Sequence, residues 1–100
     1  MKESDFQKSL IDKLKTKYPG CMVLKNDPNY IQGLPDLTIF YKDKWATLEV
    51  KRSEEDYLKS LSKNKNQKFY VDKMNEMSFS SYIYPENEKE VLNDLERSFS

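Results

Sequence analysis

Apolar residues recur along the chain at two spacings, and the change from one spacing to the other lays out the elements. Phe6, Leu10, Ile11 and Leu14 fall at i, i+4, i+5 and i+8, one stripe of an amphipathic helix over 3–17. Ser4 and Gln7 stand at the two ends of a capping box, and Pro19-Gly20 closes the helix. Cys21-Met22-Val23-Leu24 then reads as a short strand, and 26–33, rich in Asn, Asp, Pro and Gly, as a loop. Leu37-Thr38-Ile39-Phe40-Tyr41 is β-branched and aromatic. It predicts a strand that turns at Lys42-Asp43-Lys44 into a second strand, Trp45 to Lys51, a hairpin. The stretch 53–65 has only Tyr57, Leu58 and Leu61 as apolar residues and reads as a loop or a partly helical segment. Tyr70, Val71, Met74 and Met77 form the stripe of a helix over 66–77. Phe79 to Tyr84 is a further strand, stopped by Pro85. Asn87 and Glu90 make a second capping box, opening a last helix that buries Val91, Leu92, Leu95 and Phe99.

The predicted order is α-β-β-β-α-β-α over a single domain, residues 1–100. The last strand follows a helical crossover and is free to lie parallel to a neighbour. The expected class is therefore α/β, a mixed sheet flanked by helices.

Composition narrows the chemistry. Thirteen aromatics and 37% apolar residues suit a folded chain with one modest core. No apolar run is long enough to span a membrane, and the first residues lack the apolar core of a signal peptide, so a cytoplasmic protein is expected. The lone Cys21 excludes an internal disulfide and a cysteine zinc site. There is no histidine, which removes Ser-His-Asp and Cys-His nucleophiles and histidine-held zinc. Carboxylate, lysine and tyrosine chemistry remains, and carboxylate oxygens suit hard cations such as Mg²⁺ or Mn²⁺. Net charge is zero but segregated: 51–75 carries seven Lys/Arg against four Asp/Glu, and 76–100 carries two against six. A basic face and a plain solvated helix face both fit that pattern.

One constellation carries chemistry. Asp36 opens a strand after the Gly33-Leu34-Pro35 turn, and Glu49 and Lys51 lie on the adjacent strand. Residues two apart on a strand share a face, so Glu49 and Lys51 point together while Val50 points into the core. The twelve residues between Asp36 and Glu49 fit two strands and a short turn, so a hairpin whose register allows it brings the two carboxylates side by side. Two carboxylates can hold a divalent cation, to which the Val50 backbone carbonyl could add a ligand. Such a cation polarises a phosphoryl oxygen and acidifies bound water. A lysine beside it can orient or deprotonate the attacking water, or stabilise the transition state.

In these residues, Gly33-Leu34-Pro35-Asp36 followed by Glu49-Val50-Lys51, the chain resembles the PD-(D/E)xK nuclease superfamily. More narrowly it resembles small stand-alone VRR-NUC domains of the phage type, related to Holliday-junction resolvases. The resemblance implies a restriction-endonuclease-like sheet and Mg²⁺-dependent cleavage of DNA, with Mn²⁺ able to substitute. It implies Asp36 and Glu49 as ligands, Lys51 as the water-activating residue, and matches for the family's helical glutamate in Glu3 and helical glutamine in Gln67. It also implies a homodimer acting on branched DNA, with no small-molecule cofactor. A first-turn acid complementing the helix dipole is the other reading of Glu3, with Asp5 and Asp12 competing for the ligand role. A solvated helix residue is the other reading of Gln67.

Further contacts to DNA are expected from Arg52, Lys59, Lys63, Lys65 and Lys68, against a solvated surface as the alternative. Tyr30 could stack on a base, within a loop that otherwise reads as a hydrogen-bonded turn through Asn26, Asn29 and Gln32. Trp45 fits hairpin packing. Other functional readings stay open: an end-processing nuclease without branch preference, a catalytically silent nucleic-acid binder, and a phage–host interaction protein that keeps the fold.

Overall fold

A computed structural model describes all residues, Met1–Ser100. Its elements run α1 (Glu3–Lys17), β1 (Met22–Lys25), β2 (Leu37–Tyr41), β3 (Lys44–Val50), α2 (Glu54–Lys63), α3 (Lys65–Met77), β4 (Phe79–Ile83) and α4 (Glu88–Phe99). The four strands form one sheet in the order β1-β2-β3-β4. The β1–β2 and β2–β3 pairs are antiparallel and β3–β4 is parallel, so the α/β class and the mixed sheet stand as expected. No helix is long and apolar enough to cross a membrane.

The hairpin register pairs Leu37 with Leu48 and Tyr41 with Lys44, leaving a two-residue turn, Lys42-Asp43. Lys42 takes φ 58°, the left-handed backbone that a tight hairpin turn demands at its first position. One sheet face packs against α1 and α4. Leu37, Ile39, Ala46, Leu48, Val50 and Ile83 meet Phe6, Leu10, Leu14, Val91, Leu95 and Phe99 there, in a continuous apolar cluster. Each fully buried Leu or Ile in it contributes about 1.5–3 kcal/mol of apolar burial. Tyr18, Tyr41 and Phe99 close one end with ring centroids 5.1–5.7 Å apart.

The opposite face lies under α2 and α3. Val71, Tyr82 and Tyr84 form a smaller cluster there, with Tyr57 and Leu61 against it. All five buried polar or charged residues, Thr47, Glu49, Lys51, Ser60 and Ser80, are on this side. Thr47 donates to Ser80 Oγ at 2.7 Å, so two strand hydroxyls satisfy each other beneath α3.

Of the two readings of 53–65 the helical one holds: Ser53 caps α2 by accepting from the Asp56 N–H, and the chain breaks at Asn64 into a second helix, α3. Two local expectations are corrected. Ser4 does not cap α1, because the helix already begins at Glu3 after Lys2 and has no side-chain cap. Asn87 precedes α4 but does not cap it. Its side chain instead accepts from the Tyr84 N–H at 2.8 Å and donates to the Tyr82 carbonyl, pinning the end of β4. Of the α3 stripe, Val71 is buried, while Met77, the last residue of the helix, is 66% exposed.

Candidate active site around Asp36, Glu49 and Lys51

The site forms where β2 begins and β3 ends. Extending the hairpin register by one pair sets Asp36 opposite Glu49. Asp36 is fixed twice. Its Oδ2 accepts from the Val50 N–H at 2.9 Å, and its backbone carbonyl accepts from the Asn26 N–H at 2.8 Å. The Asn26 amide also donates to the Pro35 carbonyl and to Thr38 Oγ1, both at 2.8 Å, so one side chain clamps the whole turn. Asn26 belongs to the hydrogen-bonded turn expected of this loop; its hold on the turn that aims Asp36 is visible only once β1 and β2 are paired. Asn29 joins that turn by donating its N–H to Asp27 Oδ1.

Glu49 is 3% exposed and Lys51 9% exposed, so an acid and a base are both sealed under α2 and α3. Lys51 Nζ lies 3.6 Å from Glu49 Oε2 and donates to Gln67 Oε1 at 2.8 Å. Gln67 therefore joins the site, reaching down from the first turn of α3. Gly33 makes that reach possible. At φ +92° it lets the loop run against α3, where a Cβ would fall 2.6 Å from Asn66 Cβ and 2.8 Å from the Asn66 backbone carbon.

The electrostatics of the pair are unusual. Burial pushes the Glu49 carboxyl up to about 8, helped by the charge of Asp36 and opposed by Lys51. Asp36 is raised as well, by burial first, although the Val50 N–H and Glu49 itself pull it down. The two carboxyls are close enough to act on each other, and each is pushed toward its protonated form. Glu3 sits at the exposed start of α1 and is raised by burial and by Asp36, so it feels the site from its rim. It lines a hollow of about 300 Å³ together with Lys51, Asp56 and Lys63. Glu3 does not complete a three-acid set: no group of three or more His, Cys, Asp or Glu side chains is placed to hold an ion. At Val50 the side chain is fully buried as expected, and the group that meets Asp36 is its N–H.

The remaining basic residues divide sharply. Arg52 is paired with Asp56 at 3.0 Å, Lys59 with Glu55 at 3.0 Å and Lys68 with Asp72 at 2.6 Å, each one helical turn along. Lys63 and Lys65 make no ion pair and line the largest groove, between the α2–α3 junction and the loop before Asp36. Tyr30 is 80% exposed and touches none of the site residues by hydrogen bond. Trp45 is half-buried, and its carbonyl accepts from Ser78 Oγ, in keeping with hairpin packing.

Tyr82, unremarked in the sequence, pairs in register with Glu49 across β3–β4. Its hydroxyl is buried without a hydrogen-bond partner. Ser60 lies beside it but donates to the Tyr57 carbonyl at 2.6 Å. The alternation of 79–84 was enough to place Tyr82 on the Glu49 face, had the parallel register been known.

Comparison with known protein families, with curated proteins and with solved structures returns no match for this chain.

Proposed function

We propose that the protein is a metal-dependent DNA endonuclease that hydrolyses phosphodiester bonds, selective for branched DNA, with Asp36, Glu49, Lys51 and Gln67 as its working residues. The observation that carries the reading is the buried Glu49 set against half-buried Asp36, with Lys51 Nζ 3.6 Å from Glu49. Two adjacent carboxylates, one sealed from water and one half-buried, both pushed toward protonation, are a poor resting arrangement unless a cation takes the place of their protons. Their oxygens suit Mg²⁺ or Mn²⁺, and the Val50 carbonyl and solvent are the further donors within the proposal. When bound, the cation would polarise the phosphoryl group and acidify water.

The chain's own residues do the rest. Asp36 is held through Oδ2 by the Val50 N–H, and the Asn26 clamp fixes the turn that carries it. Lys51 is an ammonium with three donors. Gln67 takes one and Glu49 lies against a second, leaving one for attacking water or for charge developing on the phosphoryl oxygens. The α2–α3 cover keeps bulk water from Glu49, which strengthens each of these interactions. Branch preference and a homodimer come from the resemblance alone. A dimer would have the uncovered sheet face of Met22, Leu24 and Phe40 to pack on.

The test is direct. A four-way junction, a flap, a linear duplex and single-stranded DNA are incubated with the protein and Mg²⁺. Cutting of the junction first, its loss in EDTA, and a drop of about a hundredfold or more in Glu49→Ala, Asp36→Ala and Lys51→Ala are expected. Equal cutting of all four removes branch selectivity. Tight binding without cutting replaces the nuclease with a silent binder.

A further inference from the structure

We infer that the groove between the loop before Asp36 and the α2–α3 junction is a binding site for a single DNA strand, a flank of the substrate adjoining the cut. This names the substrate class for the proposed nuclease and rests on that reading for the chemistry, though not for the binding.

The groove encloses about 660 Å³. Its wall includes Gln32, Lys63, Asn64, Lys65, Asn66 and Gln67, with Pro28 as its one apolar side chain and no carboxylate, in a chain where 17 of 100 residues are acidic. Lys63 and Lys65 are unpaired, whereas their basic neighbours Arg52, Lys59 and Lys68 are each neutralised by an acid one turn away. The hollow on α4 makes the contrast: there Glu86, Glu90 and Asp94 face Lys89 and Arg97. The first groove thus keeps its positive charge for a ligand, and that ligand is an anion.

The amides narrow it further. Gln32, Asn64 and Asn66 make no side-chain hydrogen bond within the protein, and each offers both a donor and an acceptor. A phosphate alone uses donors only; base edges use both. A volume of 660 Å³ lies within the range of a small-ligand pocket. It takes a nucleotide or two of one strand and is too small to enclose a duplex. α3 starts at the same place without a side-chain cap; the Gln67 N–H turns back to the Asn64 carbonyl, which leaves the Lys65 and Asn66 N–H groups for a phosphate.

The groove also leads to the site. Gln67 forms part of its wall and accepts from Lys51 Nζ. Lys63 and Asn64 line both this groove and the smaller hollow that holds Lys51 and Glu3. A strand lying along Lys65 and Lys63 therefore runs on to the reacting residues.

The experiment measures anisotropy of a fluorescein-labelled dT decamer in EDTA, where no cutting occurs. Lys63→Ala/Lys65→Ala should weaken binding about tenfold and lower the slope of log affinity against log salt by roughly 1.4, at about 0.7 for each phosphate no longer neutralised. Lys8→Ala/Lys73→Ala, a charge-matched pair of unpaired lysines outside the groove, should cost less than about twofold. Asn64→Ala/Asn66→Ala should weaken the dT decamer but not an abasic decamer carrying the same phosphates. Equal losses in the two lysine doubles, or an abasic decamer bound as tightly as dT, would overturn the assignment. Because binding is read without metal, its failure leaves cleavage of duplex and junction DNA to be judged separately, and absent cleavage leaves this readout intact.

Discussion

Leu48 and Glu49 are neighbours on β3, both are sealed from solvent, and they face opposite ways. Leu48 sits among thirteen buried apolar residues that bind the sheet to α1 and α4. Glu49 sits under α2 and α3 with Lys51, Asp36 and an unsatisfied tyrosine hydroxyl. One sheet thus presents a face that holds the fold together and a face that carries buried charge at a cost. Placing the chemistry on the second face is what makes a domain this small workable: the first supplies the stability that the second uses.

The largest effect should come from the apolar face. Leu48→Ala opens a cavity in the layer between the sheet and α1 and α4, and should lose about 2–5 kcal/mol in a urea melt. If the loss were under about 1 kcal/mol, α1 and α4 would not be the stabilising layer, and the division between the faces would fail.

The adjacent position should respond with the opposite sign. The Glu49 carboxyl is raised from 4.5 to about 8 in the folded chain, so its stabilising contribution is complete below pH 4.5 and is lost as pH rises through 8. Glu49→Gln has no proton to lose. Without metal, the variant should match the wild type near pH 5 and exceed it by a few kcal/mol at pH 9, by denaturant melts at both values. A flat difference between the two pH values would mean that Lys51 already neutralises Glu49. The same proton couples to a cation: Mg²⁺ binding should release it and tighten as pH rises toward 8.

The contrast between faces was only half legible in the sequence. The alternation of β3 was enough to bring Glu49 and Lys51 to one face, while Asp36 falls opposite Glu49 through the hairpin register that the structure supplies. Alternation alone reads Thr47, Glu49 and Lys51 as a solvent face, however, and only the α2–α3 cover makes them buried. That cover was obscured because Asn64 breaks the two helices without Pro or Gly, and because α2 leaves Leu58 on its exposed side, diluting the apolar stripe. The Ser53 cap was readable, since Ser53 stands three residues before Asp56, whose N–H it accepts from. So were the one-turn pairs Arg52–Asp56, Lys59–Glu55 and Lys68–Asp72, which separate spent basic residues from Lys63 and Lys65. The reason for Gly33 was not readable, because its neighbour Asn66 lies on an element 33 residues along, brought close only by the tertiary fold.

The smallest effect compares the faces most directly, because each holds one buried tyrosine hydroxyl with no partner: Tyr18 on the apolar side and Tyr82 beside Glu49. An unsatisfied buried hydroxyl costs about 1–3 kcal/mol, and its removal recovers part of that. Tyr18→Phe should therefore stabilise the protein by up to about 1 kcal/mol and leave cleavage and its pH profile untouched. Tyr82→Phe should give a similar gain in the metal-free fold, but it also removes the one hydroxyl dipole in register with Glu49. The carboxylate then loses a group able to turn toward it, so the pH midpoint of cleavage should move upward in this variant alone. Identical pH–rate profiles for the two phenylalanine variants would place Tyr82 with Tyr18 as packing, and the polar face would end at Glu49 and Ser60.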